Sequence, residues 1–416
     1  LVGVKVNVLT FRITIFAHLI LLALKVMLET KIRLTVTKHL TLLLFIGSIF
    51  FSCSDQSSET NSHDINSPDE GCGVDTTFTL DRLDFVIVRS PNCTYTTYGN
   101  GIEMIDELGN VIWSEGGSRT SPYSMNTTSD GGYIFTFTSY VSRSSGPEGD
   151  INWSSELPSY QATHYLKDAI QTSEGDYIVV GEIGGEPGPG GHDQKGQAFV
   201  LRMTDYGNVQ WIKRYGIRNT LPDSFTEVVE ANDGGFVIVG NKIEEREFYF
   251  YDDFWIIKVD ENGDEEWSLE IGQNDRYDKA NDIIKLSDGS YIATGWSFID
   301  DGIAAMRLVR VSSDGNIIWN KLAGGNGWYD IGTSLAVNNN ETVLMVAGMK
   351  VPPSGWDDVR AKLWGYNPWN GNQIFVRNNI PSAQGINNAT DVVAAYDNGF
   401  IVTSNIFFKM DSLGRW

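Results

Sequence analysis

Histidine and cysteine are scarce in this chain of 416 residues, with five His and three Cys. Only His164 and His192 fall in the part that reads as folded. Neither has a Ser or Cys motif around it, and the Gly-x-Ser-x-Gly elbow is missing. A hydrolase of the nucleophile type needs a Ser or Cys beside a positioned base, so that class has no support. Three scattered Cys cannot build a thiolate metal cluster. Positive charge is short as well: 31 Lys and Arg stand against 53 Asp and Glu, a net charge of −22. Residues 1–52 hold six basic side chains and one acidic one, so the remainder is more acidic than the whole. Such a domain is repelled by nucleic acid and by anionic lipid, and the acidity favours solubility after export. No nucleic-acid partner, cofactor or metal is expected.

Long apolar runs are confined to the N-terminus. From Met27 onward, Lys31, Arg33 and Lys38 form a basic region, and Leu40 to Phe51 form an apolar one. That stretch is too short for a standard membrane span and fits a signal peptide over 27–52. Residues 1–26 read as upstream sequence without function, because Met27 starts a complete signal pattern alone; a membrane hairpin is the alternative. Residues 53–71 are rich in Ser, Asn and Asp with almost no large apolar side chain. They read as a flexible tether, since such a tract cannot offset the entropy of folding.

Phe50-Phe51-Ser52-Cys53 resembles the lipobox of bacterial lipoproteins, with two Phe in place of the usual small and aliphatic residues. The resemblance implies cleavage before Cys53, a lipid on Cys53 and anchoring to a membrane of the bacterial cell envelope, the outer membrane or cell surface. An ordinary signal peptide with an incidental Cys is the alternative. Cys72 and Cys93 both sit at the start of the folded part of an exported chain, where a disulfide between them is plausible; two free thiols are the other reading.

Residues 72–416 carry a repeat of roughly 55 residues built only of strand patterns, which means a propeller or a related array. One half of the unit is an apolar strand, a Gly, and a Trp four residues later: Gly109–Trp113, Gly207–Trp211, Gly263–Trp267 and Gly315–Trp319. A worn copy is Gly371 to Phe375, and Gly414-Arg415-Trp416 is cut short. The other half is an Asp-Gly turn followed by alternation, as in Asp233-Gly234-Gly235-Phe236-Val237-Ile238-Val239-Gly240. Asp-Gly supplies the positive φ of a tight hairpin, and period-2 alternation is the strand signal. The unit reads as four strands, a to d, with the Asp-Gly turn before b and the Trp on d. One such sheet cannot bury both faces alone, so it stacks on neighbours, and the Trp fills the contact.

The count predicts an all-β propeller of seven four-stranded blades; six and eight also fit, because the unit around Asn152-Trp153 is degenerate. The last strand is short, or an N-terminal strand completes the last blade and protects its edge. Residues 141–161, 182–196, 241–254 and 350–358 read as long b–c loops emerging on one face, the expected binding surface. Trp328, Tyr329, Trp356, Trp364 and Trp369 are the candidates for stacking on sugars or on a protein there; packing within the loop core is the other reading.

The segment Leu308-Val309-Arg310-Val311 to Asp314-Gly315-Asn316-Ile317-Ile318-Trp319 resembles the tryptophan-docking repeat of pyrroloquinoline quinone-type propellers. The chain from residue 76 is similar to propeller-repeat lipoproteins of Bacteroidetes-type bacteria. The resemblance implies architecture and little about activity. The metal-binding acids and the vicinal disulfide of the quinone enzymes have no counterpart here. Sialidase Asp-boxes place two residues between Gly and Trp, against three here. Asp260 to Glu266 looks like a calcium loop but lacks the twelve-residue pattern, and in the repeat frame it is a c–d hairpin. The expected function is therefore a lipid-anchored binding or scaffolding module for protein or glycan. The alternative is an enzyme acting on carbohydrate or another polymer, with carboxylates in the central channel.

Overall fold

The structure, a computed structural model, describes residues 79–416 apart from 81–85, 91–92, 99–100, 117–121, 147–149, 158–163, 185–195, 217–222, 247–248, 273–275, 301–302, 326, 353–358, 379–388 and 405–406. All described strands belong to one compact unit, Glu59–Trp416; the other, Leu1–Ser58, lies outside the described residues, as do Cys53, the tether and Cys72. The described residues contain strands and turns and no helix.

A two-residue strand, β1 (Thr79–Leu80), comes first. Blade 1 is β2 (Val86–Ser90), β3 (Thr94–Tyr98), β4 (Gly101–Ile105) and β5 (Val111–Gly116). Blade 2 is β6 (Ser124–Thr127), β7 (Tyr133–Thr136), β8 (Tyr140–Ser144) and β9 (Ile151–Glu156). Blade 3 is β10 (His164–Gln171), β11 (Tyr177–Ile183), β12 (Gln197–Met203) and β13 (Val209–Tyr215). Blade 4 is β14 (Ser224–Glu230), β15 (Phe236–Arg246), β16 (Tyr249–Val259) and β17 (Glu265–Ile271). Blade 5 is β18 (Asp278–Lys285), β19 (Tyr291–Asp300), β20 (Ile303–Val311) and β21 (Ile317–Gly324). Blade 6 is β22 (Tyr329–Val337), β23 (Leu344–Val351), β24 (Arg360–Tyr366) and β25 (Gln373–Arg377). Blade 7 is β26 (Asp391–Ala394), β27 (Phe400–Thr403) and β28 (Phe407–Met410), completed by β1.

Each blade is an antiparallel meander in which every strand pairs with the next. Blades 5 and 6 are additionally joined by one parallel bridge, Ala304 to Tyr329. The ring closes through β1, which pairs antiparallel with β28 in the register Thr79↔Phe408 and Leu80↔Phe407. The last blade thus takes its outer strand from the beginning of the chain. The a strands, β2, β6, β10, β14, β18, β22 and β26, contact one another in ring order and line the centre.

Period-2 alternation explains the stacking. On β11, Tyr177 and Val179 join a cluster with Ile134 and Val141 of blade 2. Ile178 and Val180 point the other way and pack with Phe225, Val228 and Trp255 of blade 4. Further clusters fill the interfaces of blades 4–5, 5–6, 6–7, 7–1 and 1–2. Fully burying one such aliphatic side chain stabilises by about 1.5–3 kcal/mol, and every blade does it on both faces.

Two expectations about loops need correction. Residues 141–161 are not a b–c loop: they hold strand c (β8), a hairpin from Ser145 to Asp150 and strand d (β9). Gly149 stands four positions before Trp153, so the usual Gly-to-Trp spacing is kept in this unit too. Residues 241–254 are mostly paired strand, since β15 and β16 stay in register out to Arg246↔Tyr249. β15 and β16 are thus the longest paired strands among the described residues.

Candidate functional site

The repeated Trp and Gly belong to one device. The d-strand aromatic of blades 2 to 6 packs on the c–d turn of the following blade. A Cβ on Gly207 would meet the Trp153 ring at 2.8 Å, one on Gly263 the Trp211 ring at 2.9 Å, and one on Gly315 the Trp267 ring at 2.7 Å. Gly371 lies in the same way against Trp319, and Gly414 against Phe375. These glycines also hold φ between 66 and 79°, a region that L side chains avoid. Trp153 and Trp267 donate their indole N–H to the turn carbonyls of Asp205 and Ser313, both at 3.0 Å. Trp113 is half-buried and joins the blade 1–2 cluster, while Gly109 sits in its own blade's c–d turn with φ 85°. Trp416 is 42% exposed, with its ring edge-on to Phe408.

A second device escaped the sequence reading. Each Asp-Gly turn acid accepts a charged hydrogen bond from a basic residue on strand c. The pairs are Arg143–Asp130 (2.5 Å), Lys258–Asp233 (2.6 Å), Arg310–Asp288 (2.7 Å) and Lys409–Asp397 (2.8 Å). In blade 3, Arg202 reaches Glu174 and Asp176. The base is buried and the acid lies nearer water. Burial alone would raise the Asp130 carboxyl, but hydrogen bonds from Arg143, Thr128 and the Gly132 N–H pull it down to about 2. The bond from Lys258 lowers Asp233. Arg202 and Arg310 also reach carbonyls in the next c–d turns, of Glu261 and Trp369, so the same cations tie blade to blade. The signal was present: a Lys or Arg stands two residues before the c–d turn on the c strands of blades 2, 3, 4, 5 and 7.

The centre of the ring holds a third device. Asp168, Glu227, Asp282 and Asp391 project from β10, β14, β18 and β26, and Ser334 takes the equivalent place on β22. A β-bulge precedes each residue of blades 3 to 6, between Leu166 and Asp168, Phe225 and Glu227, Ala280 and Asp282, and Gly332 and Ser334. Opposite every bulge sits a b-strand glycine. A Cβ at Gly181, Gly240, Gly295 or Gly348 would lie 1.8–2.1 Å from an a-strand carbonyl oxygen. The glycine makes room for the bulge, and the bulge turns the following side chain into the channel.

These acids are engaged in holding blades together. Asp168 accepts from Ser124 Oγ (2.6 Å) and Asn126 Nδ2 (2.8 Å) of blade 2 and from the Val228 N–H (3.2 Å) of blade 4. Asp282 accepts from the Leu335 N–H of blade 6 at 2.6 Å. Asp391 accepts from Ser334 Oγ of blade 6 (2.7 Å) and from the Ile87 N–H of blade 1 (3.0 Å), across the ring closure. Burial raises all four carboxyls; Asp282, with Asp391 facing it, is pushed up to about 7.

The expected aromatic patch divides. Trp364 is not exposed: it is 1% accessible and packs between blades 5 and 6, because β24 is a central strand buried on both faces. Trp369 lies in a c–d turn, donating to the Glu341 carbonyl at 2.8 Å under the Arg310 guanidinium. In a four-stranded meander a–b and c–d turns share one end, so Trp369 is on the face opposite the b–c loops. Trp356 lies outside the described residues, as does His192. Trp328 and Tyr329 do stand on the b–c side, half-buried, with Lys350 Nζ 4.2 Å from the Trp328 ring centre.

Around Tyr329 the structure places rings that the sequence reading did not select. Tyr251 at the tip of blade 4 lies 5.6 Å from Tyr277, Tyr277 lies 6.1 Å from Phe298, and Phe298 lies 5.9 Å from Tyr329. With Trp328 this makes an arc of aromatic rings across the b–c face of blades 4 to 6. At its blade 4 end Glu244, Asp253 and Glu270 bring carboxylate oxygens within 4.8 Å of one another. The three could share a cation, although Lys242 already bonds Glu270 there. Beside them Lys279 bonds Asp252 at 2.9 Å.

The other expected residues have plain settings. Cys93 is disulfide-bonded, with a partner outside the described residues. His164 is buried edge-on to Phe199, and burial lowers its pKa. The Asp260 carboxylate accepts the N–H groups of Asn262 and Asp264 and so closes its own turn.

No protein-family model and no curated protein matches the chain. Among solved structures it is similar to the β-propeller domain of Myceliophteria thermophila Cps50 (Swd1), at 8% identity and a TM-score of 0.53, over 81% of this chain and 99% of that one. It is also similar to the extracellular domain of a hybrid two-component system of B. thetaiotaomicron, at 10% identity and a TM-score of 0.49, over 80% of this chain. The chain spans 40% of the length of that extracellular domain. The first likeness shows the fold: this is a β-propeller.

Proposed function

We propose that the chain is an extracytoplasmic, lipid-anchored propeller that binds a glycan on its b–c face. The observation that carries this reading is the arc Tyr251–Tyr277–Phe298–Tyr329 with Trp328 beside it. Tyr251, Tyr277, Trp328 and Tyr329 are partly open around the buried Phe298, and such rings stack on the apolar faces of sugars while flanking carboxylates accept from hydroxyls. Glu244 and Glu270 supply such acceptors at one end of the arc, and Lys350 a donor at the other. Anchoring rests on the lipobox-like Phe50 to Cys53 and the polar tract after it.

The enzyme alternative loses ground because the central carboxylates are spent on inter-blade hydrogen bonds. A glycan array probed with the purified protein tests the binding reading. Binding that falls at least tenfold in Tyr277→Ala and Tyr329→Ala, with unchanged thermal stability, supports it. Binding only to a protein partner, or binding unaffected by both changes, overturns it. Mass spectrometry of the native chain tests the anchor: a diacyl or triacyl Cys53 at the mature N-terminus is expected, and an uncleaved, unmodified N-terminus removes it.

A further inference from the structure

Lys350 and Arg360 are registered partners on β23 and β24, opposite each other at the b–c end of blade 6. Among the described residues no other registered strand pair sets two like charges side by side. Like charges directly opposite destabilise a sheet. The chain is rich in acids, 53 against 31 basic residues, and in blade 4 Lys242 does face an acid, Asp253. Asp330 on β22 is registered with Lys350, but its carboxylate is already engaged. It accepts from Lys362 Nζ at 2.6 Å and from the Gly325 N–H at 2.9 Å.

Both cations converge on one ring instead. Lys350 Nζ lies 4.2 Å and Arg360 Cζ 6.0 Å from the Trp328 ring centre. An indole face attracts cations but has no net charge, so it steadies the two heads without neutralising them. Lys350 is half-buried and Arg360 exposed. Among the described residues Lys350 makes no ion pair. Trp328 adjoins Tyr329, so the paired cations stand at the blade 6 end of the aromatic arc. At the blade 4 end Glu244, Asp253 and Glu270 gather carboxylates, and the two ends of the arc differ in sign.

We propose that Lys350 and Arg360, steadied by Trp328, seat an acidic sugar, a uronate or a sulfated residue, at that end of the arc. This rests on the glycan reading of the b–c face and names the class of glycan. The guanidinium fork takes two oxygens of a carboxylate or sulfate, and the ammonium takes one more. The anion thereby offsets the repulsion between the two strands. The polarity of the arc orients the glycan: its acidic residue lies by Trp328 and its neutral residues run towards Tyr251. The net charge of −22 does not forbid this. Charges much further off than about 8 Å are screened at physiological ionic strength, so the nearby pair dominates at contact. The rival occupant is a carboxylate of the chain itself: Asp357 and Asp358 stand in the b–c loop between the two strands, outside the described residues.

The test is an array of neutral, uronate-containing and sulfated oligosaccharides probed with the full chain in detergent. Each acidic sugar bound is then measured by calorimetry beside its carboxyl-reduced or desulfated twin. The acidic member should bind about tenfold tighter than the twin, and the arm that shows this, uronate or sulfate, identifies the anion. Lys350→Met should bring that ratio below about threefold. Lys350→Glu, which sets an opposite charge against Arg360, should abolish binding of the acidic member and raise the melting temperature. Binding of neutral sugars alone, or an acidic preference that survives both changes, overturns the acidic seat and leaves the glycan reading standing; neutral sugars alone would fit a pair already served by the loop acids. Binding of no sugar of any charge overturns both.

Discussion

A Cβ placed on Gly263 would sit 2.9 Å from Cη2 and Cζ3 of Trp211, one blade earlier in the chain. The glycine is at once the residue that turns the c–d hairpin, with φ 78°, and the floor on which the neighbouring indole rests. Gly263→Ala should therefore cost about 2–4 kcal/mol, from left-handed strain plus overpacking. Trp211→Ala, at a half-buried site, should cost about 2–3 kcal/mol, and the double variant less than the sum. Urea unfolding of the three variants checks this. Additive losses would mean that the two residues do not share a contact.

The buried cation of each Asp-Gly latch makes its two partners unequal. Removing Asp233 leaves Lys258, 4% exposed, paired with Glu266 alone among the described residues. Removing Lys258 leaves Asp233 with 59% of its side chain in water. Asp233→Ala should thus destabilise by about 1–3 kcal/mol and by more than Lys258→Met, which fills the space without burying charge. Denaturant midpoints measured side by side decide the order.

The same latches set the acid limb of stability. Asp130, held at about 2, and Asp233, held below its ordinary value, contribute stability above the unfolded carboxylate range. That contribution is lost as pH falls from about 4 towards 2. Asp130→Asn should lower the melting temperature at neutral pH and reduce the further drop on acidification. An acid profile identical to wild type would contradict the assignment.

Gly295 reaches the channel without touching it. A Cβ there would lie 1.8 Å from the Lys279 carbonyl oxygen, at the bulge that aims Asp282. Gly295→Ala is expected to remove the bulge and turn Asp282 away from the Leu335 N–H. Faster hydrogen exchange at Leu335, measured by mass spectrometry or NMR, is the expected result. Unchanged protection at Leu335 would show that the bulge is not needed.

The strand order and the repeat frame were legible because turn chemistry and alternation are local. Asp233-Gly234-Gly235 or Gly263 to Trp267 can be read from a few neighbouring residues. Seven blades can be counted once Gly149 to Trp153 is read as one more copy of the Gly-to-Trp spacing. The site was harder to read because it is made by rotation about the ring. Tyr251, Tyr277, Phe298 and Tyr329 come from three blades, and nothing in their local sequence says that they meet. Trp364 misled because a large aromatic near a loop looks exposed until strand c is known to be buried on both faces. The channel acids did carry a signal: Asp168, Glu227 and Asp282 each precede a b-strand glycine by thirteen residues, which is the length of the bulged a–b hairpin.

Every inter-blade contact, and the face on which the aromatic arc lies, depends on a ring whose last blade is completed by the first strand. Thr79 and Phe408 are registered partners across that closure. With cysteines at both positions, the account predicts a 79–408 disulfide under mild oxidation, identified by peptide mapping, and a higher denaturant midpoint than in the reduced protein. A failure of the pair to bridge in the folded protein, or a bridge that lowers stability, would contradict the closed ring.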